Sequence, residues 1–448
     1  MNGQTPEDFS ADKTYHTNLE AYITSIYDAD PEREWQRFDR HRTEFAVTLR
    51  AIHEYFSTPP ASILDCGAGP GRYAIELARR GYQVTLFDLS SENLLLADRR
   101  AEEAGVEFFA SHLGNATDLS RFEDQTYDHV LLLGPLYHLL DRVDRLQAIS
   151  EATRVLKPEG YLLAAFISRY AGHRYAAANE PEYILEQAEI SERLLKTGIL
   201  PPREEGNFVA YMAHPSEIEA PFWQAGLEVE NVLGLEGLVS MIEQPVNSLS
   251  GELWEAWVDL NYQVASDTSI HGLVEHLLVV ARKPRWRTVL SQIAIQLEQV
   301  GVSYKVVGGA SVALHGVCES VKDLDLEMGI EDAYRFQELF SANTIQPVDW
   351  RESQFYRSHY GIFDFDGVKV DVMGDLERLQ AGTWVSSYTK TLEQVEIHNV
   401  PIRVSWLEEE TLAYIRRGRL NRATLCLPKC DRAKLLAILR GSQPQGVY

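Results

Sequence analysis

The sequence predicts an α/β protein of two domains, the larger one built on a mostly parallel sheet. Three observations carry this. Short apolar runs alternate with helix-patterned segments from Ser62 onward, a glycine-rich turn joins strand to helix near the start of each of two such alternations, and Lys283-Pro284-Arg285 separates them. Strands alternating with helices require right-handed crossovers, and those give parallel sheets.

The elements follow in order. Residues 15–57 place aromatic and aliphatic side chains at helical spacing, as in EWQRFDRHRTEFAVTLRAIHEYF. ASILD then reads as a strand, AIELARRG as a helix, YQVTLFD as a strand and NLLLADRRAEEAG as a helix. VEFFASH and YDHVLLLG read as strands, RLQAISEATRVL as a helix and GYLLAAFI as a strand. Residues 170–222 interrupt the alternation with helix-like, polar segments, and the sheet resumes at GLEVENVLG and ends at HLLVVARK. The first domain is therefore placed at 1–283, with an insertion at 170–222, and the second at 286–448. In the second, WRTVLSQIAIQLEQVG reads as a helix, YKVVGG as a strand, ASVALHG as a short helix, DLDLEMG and GVKVDVMGD as strands, and a helical tail is expected after them.

Composition narrows the function classes. The 448 residues are 45% hydrophobic and 24% charged, with a net charge of -24. Two or three domains fit that length at roughly 150 residues each. So acidic a surface repels phosphate backbones, which disfavours nucleic acid and anionic membranes as partners. No apolar run is long enough to span a bilayer, and the N-terminal MNGQTPEDFS has no basic region followed by an apolar one, so a cytoplasmic protein is expected. Cys66, Cys318, Cys426 and Cys430 form neither a disulfide framework nor a complete zinc set, and read as small buried hydrophobes.

The first glycine-rich turn is LDCGAGPGRY, with Asp65, Gly67, Gly69 and Gly71. Glycines let the backbone turn tightly and approach a ligand, and the helix behind them offers free N–H groups. Asp88 ends the next strand about 20 residues on, where an acid suits ribose hydroxyls. That spacing fits either a nicotinamide dinucleotide or S-adenosylmethionine. Asp65, placed before the glycines where it meets a cation better than a pyrophosphate, favours the second.

LDCGAGPGRYAIELARRGYQVTLFDLS, LGNATDLSRFEDQTYDHVLLLGPLYHL and EATRVLKPEGYLLAAF together resemble the class I S-adenosylmethionine-dependent methyltransferases over residues 15–283. The resemblance implies a Rossmann-like sheet with a helical lid insertion. It assigns the methionine portion to Asp65, Gly67, Gly69 and Gly71, the ribose to Asp88, the adenine side to Asn115 and Ala116, and the passage beside the sulfonium to Leu133 and Gly134. Asn115 stands where many relatives carry Asp, and its side-chain oxygen can accept a hydrogen bond from the adenine amino group.

Methyl transfer from a sulfonium is an in-line displacement that depends mainly on alignment and exclusion of water. No catalytic side chain is obligatory for a thiol, an amine or an activated hydroxyl. Tyr137 and His138 in GPLYHL are the acceptor-side candidates; His138 reads equally well as a general base and as a packing residue. Tyr170, His173, Tyr175, Tyr183 and Tyr211 would form a lid over a small organic acceptor; the aromatic-rich insert reads equally well as a helical cap with an ordinary core. The resemblance further implies that the N-terminal helix with Trp35, Arg37, Arg42 and Glu44 closes the cofactor side; read alone, its charges fit a solvated face equally well.

The second turn, VVGGASVALHG, is followed by Asp323 and Asp325 in DLDLE and by Asp371 in VKVDV. Two carboxylates one residue apart on a strand share a face, and a third from a neighbouring strand can join them to hold Mg²⁺ against a nucleoside triphosphate. Gly308, Gly309 and Ser311 could cradle the phosphates. This pattern resembles the nucleotidyltransferase superfamily over about 286–440, and implies a smaller α/β nucleotidyltransferase-like domain with Asp323, Asp325 and Asp371 on the metal and Asp371 as third carboxylate and possible base. Relatives often carry Arg or Thr before the acids, where this chain has Glu319, Ser320, Val321 and the positive Lys322. The leading expectation is a bifunctional enzyme that transfers a methyl group to a small molecule and a nucleotidyl group from a triphosphate. The alternatives are a methyltransferase with a non-catalytic nucleotide-binding or scaffold domain, and a toxin-type nucleotidyltransferase acting on tRNA or protein.

Overall fold

The computed structural model describes residues 13–201, 208–317, 320–380, 382–386, 392–397 and 400–439. MNGQTPEDFS, Cys318 and Glu319 lie outside them. The chain divides into two compact units, Met1–Lys283 and Pro284–Tyr448. Lys283 closes the first: it is buried, and its Nζ donates to the carbonyls of Thr153 (2.8 Å) and Leu156 (2.6 Å).

The first unit opens with helices α1 (Lys13–Ala29), α2 (Pro31–Arg40) and α3 (Arg42–Tyr55). Asp30 caps α2 by accepting from the Arg33 amide, and Pro31 takes the first helical position, where no N–H is needed. The strands are β1 (Ser62–Cys66), β2 (Gln83–Asp88), β3 (Ala110–Leu113), β4 (Tyr127–Leu132), β5 (Leu156–Ser168), β6 (Ile199–Leu200), β7 (Ala210–Ala213), β8 (Glu228–Gly234) and β9 (His276–Arg282). They run in the order β3-β2-β1-β4-β5, all parallel. Antiparallel β9 then joins β5 and carries β8 on its other side.

Both faces of this sheet are covered, which is why its strands read as unbroken apolar runs. Leu64, Cys66, Phe87 and Val130 face a core with Ala148, Ile149 and Phe222. Ile63, Val84 and Leu86 face the opposite core with Val47, Ala51, Ile52 and Leu77.

The insertion departs from expectation. Helices Ala171–Asn179, Tyr183–Glu186 and Ala188–Thr197 are present, but β6 and β7 follow them, and β7 pairs in parallel with the end of β5 through Ile167–Met212 and Ser168–Ala213. AYMA is too short for a visible period, yet all four residues are buried. The sheet therefore resumes before residue 222.

The second unit holds β10 (Tyr304–Val307), β11 (Leu324–Met328), β12 (Thr344–Glu352), β13 (Tyr356–Phe365), β14 (Val368–Gln380), β15 (Thr383–Ser386), β16 (Glu393–Ile397) and β17 (Val400–Val404). The order is β12-β13-β14-β11-β10-β17-β16, with β15 on β14. The expected helical tail directly after GVKVDVMGD is corrected: three strands intervene before helices Leu407–Arg416 and Leu420–Cys426. Alternation in EQVEI and VPIRV, with Ile397, Ile402 and Val404 buried, accounts for two of them. Leu324, Leu326, Val370 and Val372 pack with Trp286, Leu290 and Phe336 in the core. Strand alternation then sends Asp325 and Asp371 to the other face.

Among the described residues no helix is long and apolar enough to cross a membrane. Cys66 and Cys426 are buried and Cys430 half-buried, none of the three in a disulfide.

Candidate functional site

The first site forms where β1 ends. Gly67 has φ +77°, and a Cβ there would fall 2.4 Å from Pro135 Cδ, so only glycine lets the turn pass the β4 loop. The turn opens a cavity of about 270 Å³ lined by Asp65, Gly67, Gly69, Asp88, Asn115, Ala116, Leu133, Gly134, Tyr137 and His138. Gly71 stands behind it at the start of the helix Arg72–Arg79.

Asp65 is 2% exposed and its Oδ2 has no hydrogen-bond partner. Burial, with the neighbouring charge of Asp88 second, pushes its carboxyl up to about 7. An unsatisfied buried carboxylate is costly, and a ligand ammonium would satisfy it. Asp88 is held from two sides: the Gly69 amide donates to Oδ2 and the Ser90 amide to Oδ1, each at 2.8 Å. Asn115 behaves differently from the sequence expectation. Its Oδ1 already accepts from the Thr117 amide and hydroxyl, both at 3.0 Å, and its Nδ2 donates to Glu20 at 2.9 Å. The Thr117 N–H can only donate, so it fixes which end of the amide is oxygen, and that oxygen is turned from the adenine role.

His138 Nδ1 lies 3.0 Å from the Val209 carbonyl, which accepts only, so Nδ1 carries the proton. Nε2 is then the free lone pair, and the Tyr27 hydroxyl donates to it at 2.6 Å. Burial lowers the His138 pKa to about 4, keeping the ring neutral near pH 7. Burial holds the Tyr27 phenol well above its ordinary value. Tyr27, on α1, was not visible to sequence reasoning, because no motif links it to a histidine 111 residues away.

Glu34, Arg37 and Glu44 also line the cavity. Arg37 donates to both Glu44 oxygens at 2.7 and 2.9 Å. Trp35 and Arg42 do not reach it: Trp35 stacks under Arg72 and Arg100, and Arg42 stacks on Trp254. None of Tyr170, His173, Tyr175, Tyr183 and Tyr211 lines the cavity either. Tyr211 carries Arg145 at 3.5 Å over its ring, and His173 bonds Ser191. The insertion reaches the site instead through the Val209 carbonyl and the Phe208 ring, 5.3 Å from His138.

The second site lies across β11 and β14, where Asp325 and Asp371 are register partners. Gly308 has φ +70°, and a Cβ there would sit 2.5 Å from Asp325 Oδ2. Burial, then the charges of Asp323 and Asp371, push the Asp325 carboxyl up to about 7. Asp371 is 7% exposed; its Oδ2 accepts from Lys369 at 2.7 Å and its Oδ1 has no partner. Glu410, missed in the sequence, adds a further carboxylate to the field at Asp325 and accepts from Ser405 at 2.7 Å. Ser311 is fully buried and bonded to Ser405 (2.9 Å), so its hydroxyl does not face a phosphate site. Gly309 sits beside Gly308 in the first turn of the helix Gly308–Leu314.

Comparison with known proteins identifies both units. A methyltransferase domain model matches residues 63–160, and an aminoglycoside-2''-adenylyltransferase model matches 289–425. The ubiquinone biosynthesis O-methyltransferase of Xanthomonas euvesicatoria pv. vesicatoria is 30% identical over 210 residues, 47% of this chain and 78% of that protein. The chain belongs to the S-adenosylmethionine-dependent methyltransferases. A methyltransferase of Geobacillus sp. (strain WCH70) is 30% identical over 142 residues, 31% of this chain and about half (52%) of that one. A structure from Thermotoga maritima, assigned as a nucleotidyltransferase, is 34% identical, covers 32% of this chain and 90% of its own, and has a TM-score of 0.30. A methyltransferase structure from Methanosarcina mazei is 22% identical, covers 52% and 97%, and has a TM-score of 0.37. The methyltransferase unit is thus joined to a nucleotidyltransferase-type unit on one chain.

Proposed function

We propose that the methyltransferase unit, residues 1–283, methylates a small molecule, and that the nucleotidyltransferase-type unit, 286–448, transfers a nucleotidyl group with Mg²⁺ and a triphosphate. The observation that carries the first half is the unpartnered buried Asp65 in the lining of a cavity that the Tyr27–His138 pair also lines. S-adenosylmethionine supplies an activated methyl group on a sulfonium. Asp65 would hold the ammonium of its amino-acid end, the Gly67–Gly71 turn its backbone approach, and Asp88 the ribose. Ala116, Leu133 and Gly134 would form the wall against the base and the sulfonium side, with Asn115 buttressing that wall through Thr117. An acceptor O–H, N–H or S–H donates to Tyr27 Oη. As its proton moves to Tyr27, the Tyr27 proton moves to His138 Nε2, and Tyr137 bounds the space. The 170–222 insertion would cover the acceptor side through Phe208.

For the second half, Asp323, Asp325 and Asp371 would supply the all-oxygen donor set that Mg²⁺ prefers; their donor atoms do not all lie within 4.8 Å of one another, so the ion would have to draw them together, and the unpartnered Asp371 Oδ1 supports that role. The ion would neutralise triphosphate charge and help align it, with Gly308 and Gly309 allowing close approach. Asp371 would also be the candidate to accept the acceptor's proton. The family model's aminoglycoside points to a polycationic, hydroxyl-rich acceptor, which an acidic surface would attract.

A second reading has one observation in its favour: the Lys369 ammonium already occupies Asp371 Oδ2. In that reading the unit binds nucleotide without turning it over. Mass spectrometry of an acceptor panel with S-adenosylmethionine, and separately with ATP or GTP and Mg²⁺, separates the two. Methylation without any nucleotidyl product leaves the second reading.

A further inference from the structure

His41, Glu243 and Glu275 come from three separate stretches of the methyltransferase unit. His41 lies at the junction of α2 and α3, Glu243 precedes the short helix Gln244–Asn247, and Glu275 immediately precedes β9. One donor atom from each lies within 4.8 Å of the other two.

The spacing is informative. His41 Nδ1 stands 3.4 Å from Glu243 Oε1 and 3.5 Å from Glu275 Oε2, and has no hydrogen-bond partner. Hydrogen bonds between such atoms cluster nearer 2.9 Å. Ligands arranged tetrahedrally about an ion at roughly 2.0–2.1 Å are about 3.4 Å apart. Glu243 supplies a second, independent sign. Its side chain is 7% exposed, and Oε2 is buried without a hydrogen-bond partner. A buried carboxylate oxygen left so is costly unless a cation meets it.

A neighbouring trio shows the contrast. Glu44, Glu236 and His276 are equally close to one another, yet they satisfy themselves. Glu44 accepts from Arg37, while Glu236 accepts from His276 Nδ1 at 2.6 Å and from the Glu275 and His276 amides at 3.0 Å. That trio needs no ion. In the first trio, whose His41 ring is 6.1 Å from the His276 ring, the carboxylates meet only the His41 Nδ1 among the described residues, at 3.4 and 3.5 Å.

We propose that His41, Glu243 and Glu275 bind one divalent first-row transition ion, with zinc as the best fit. One imidazole and two carboxylates suit such an ion, whereas magnesium and calcium take all-oxygen sets. Three protein ligands leave a position for water. The ion would clip the helical N-terminal segment to the start of β9, and so hold in place the helices that carry Tyr27, Arg37 and Glu44 to the cavity.

The test uses the full, tag-free chain carrying Asp323→Asn, Asp325→Asn and Asp371→Asn, so that the second unit's acids do not contribute. After chelator treatment it is dialysed separately against Zn²⁺ and Mg²⁺, bound metal is counted by mass spectrometry, and melting is followed. The expected result is one zinc per chain, no magnesium, and a zinc-dependent rise in Tm that chelator reverses. His41→Gln and Glu243→Gln should each weaken zinc binding at least tenfold while leaving the circular dichroism spectrum unchanged. No zinc bound, or zinc bound equally tightly in both variants, overturns the proposal. If a variant does not fold, the parent decides: absence of the zinc-dependent rise in Tm overturns the proposal, and its presence at one ion per chain supports it.

Discussion

The two glycine-rich turns look alike in sequence and do different things. At Gly67 the absent side chain lets a strand end pass the Pro135 loop and leaves Asp65 facing a cavity with nothing to bond. At Gly308 the space a side chain would need is filled by Asp325 Oδ2, a carboxylate from the next strand. In one unit glycine keeps room for a ligand, and in the other it lets a second strand's acid come close. A glycine turn therefore locates a functional strand end without saying what occupies it. The nearby acids differ: Asp65 stands alone with an unpartnered oxygen, whereas Asp325 and Asp371 face each other from neighbouring strands.

Substitutions sharpen this difference. The largest effect is expected from Asp371→Asn, which should lower nucleotidyl transfer about 10³-fold, several kcal/mol in barrier, while methyl transfer stays intact. Loss of both activities together would show that the units are not separable in function. Next comes His138→Gln. Removing a general base costs at least about 10²-fold, and the loss should fall on kcat for methylation, with cofactor affinity preserved in calorimetry. Tyr27→Phe should match it if the proton passes through both groups.

Asp65→Asn should weaken S-adenosylmethionine binding by about 10- to 100-fold, the worth of a charged hydrogen bond. The same residue sets a pH dependence. Its folded carboxyl is raised to about 7, so the form that pairs with an ammonium is lost as pH falls below that value. Cofactor affinity should then drop by about tenfold per pH unit below 7, and the drop should vanish in Asp65→Asn. His138, lowered to about 4, contributes no step in that window. The sign for folding is opposite. Because the folded protein holds this proton more tightly than the unfolded chain, Asp65 makes the ligand-free protein less stable as pH rises from about 4 to 7. The smallest effect is expected at Ser311→Ala. It should cost about 1 kcal/mol of stability, from the lost bond to Ser405, and leave nucleotide binding unchanged. A large loss of nucleotide affinity there would restore Ser311 to the phosphate site.

Much of the fold was legible because period and punctuation agree. β1, β2 and β4 are buried on both faces and read as continuous apolar runs. β7 was hidden because four buried residues make no period, and β16 and β17 because each is a five-residue run, EQVEI and VPIRV, with polar residues or proline between its apolar ones. At the sites, local motifs were readable and long-range partners were not. Asp65, Asp88, Asp325 and Asp371 announce themselves by position. Tyr27 and Glu410 reach their sites through tertiary packing alone. Asn115 and Ser311 stood at suggestive positions, and their hydrogen bonds to Thr117 and Ser405 redirect them. Chemistry-bearing residue types in a motif show capacity; which lone pair is free is a property of the packed chain.

The bond from His138 Nδ1 to the Val209 carbonyl has a consequence for how this site can change. The tautomer that leaves Nε2 free is dictated by a main-chain oxygen, so no exchange of the side chain at 209 can erase it. Only a shift in the path of the β7 segment would. The residues around that strand can be rewritten for a new acceptor while the histidine keeps the same face to its work.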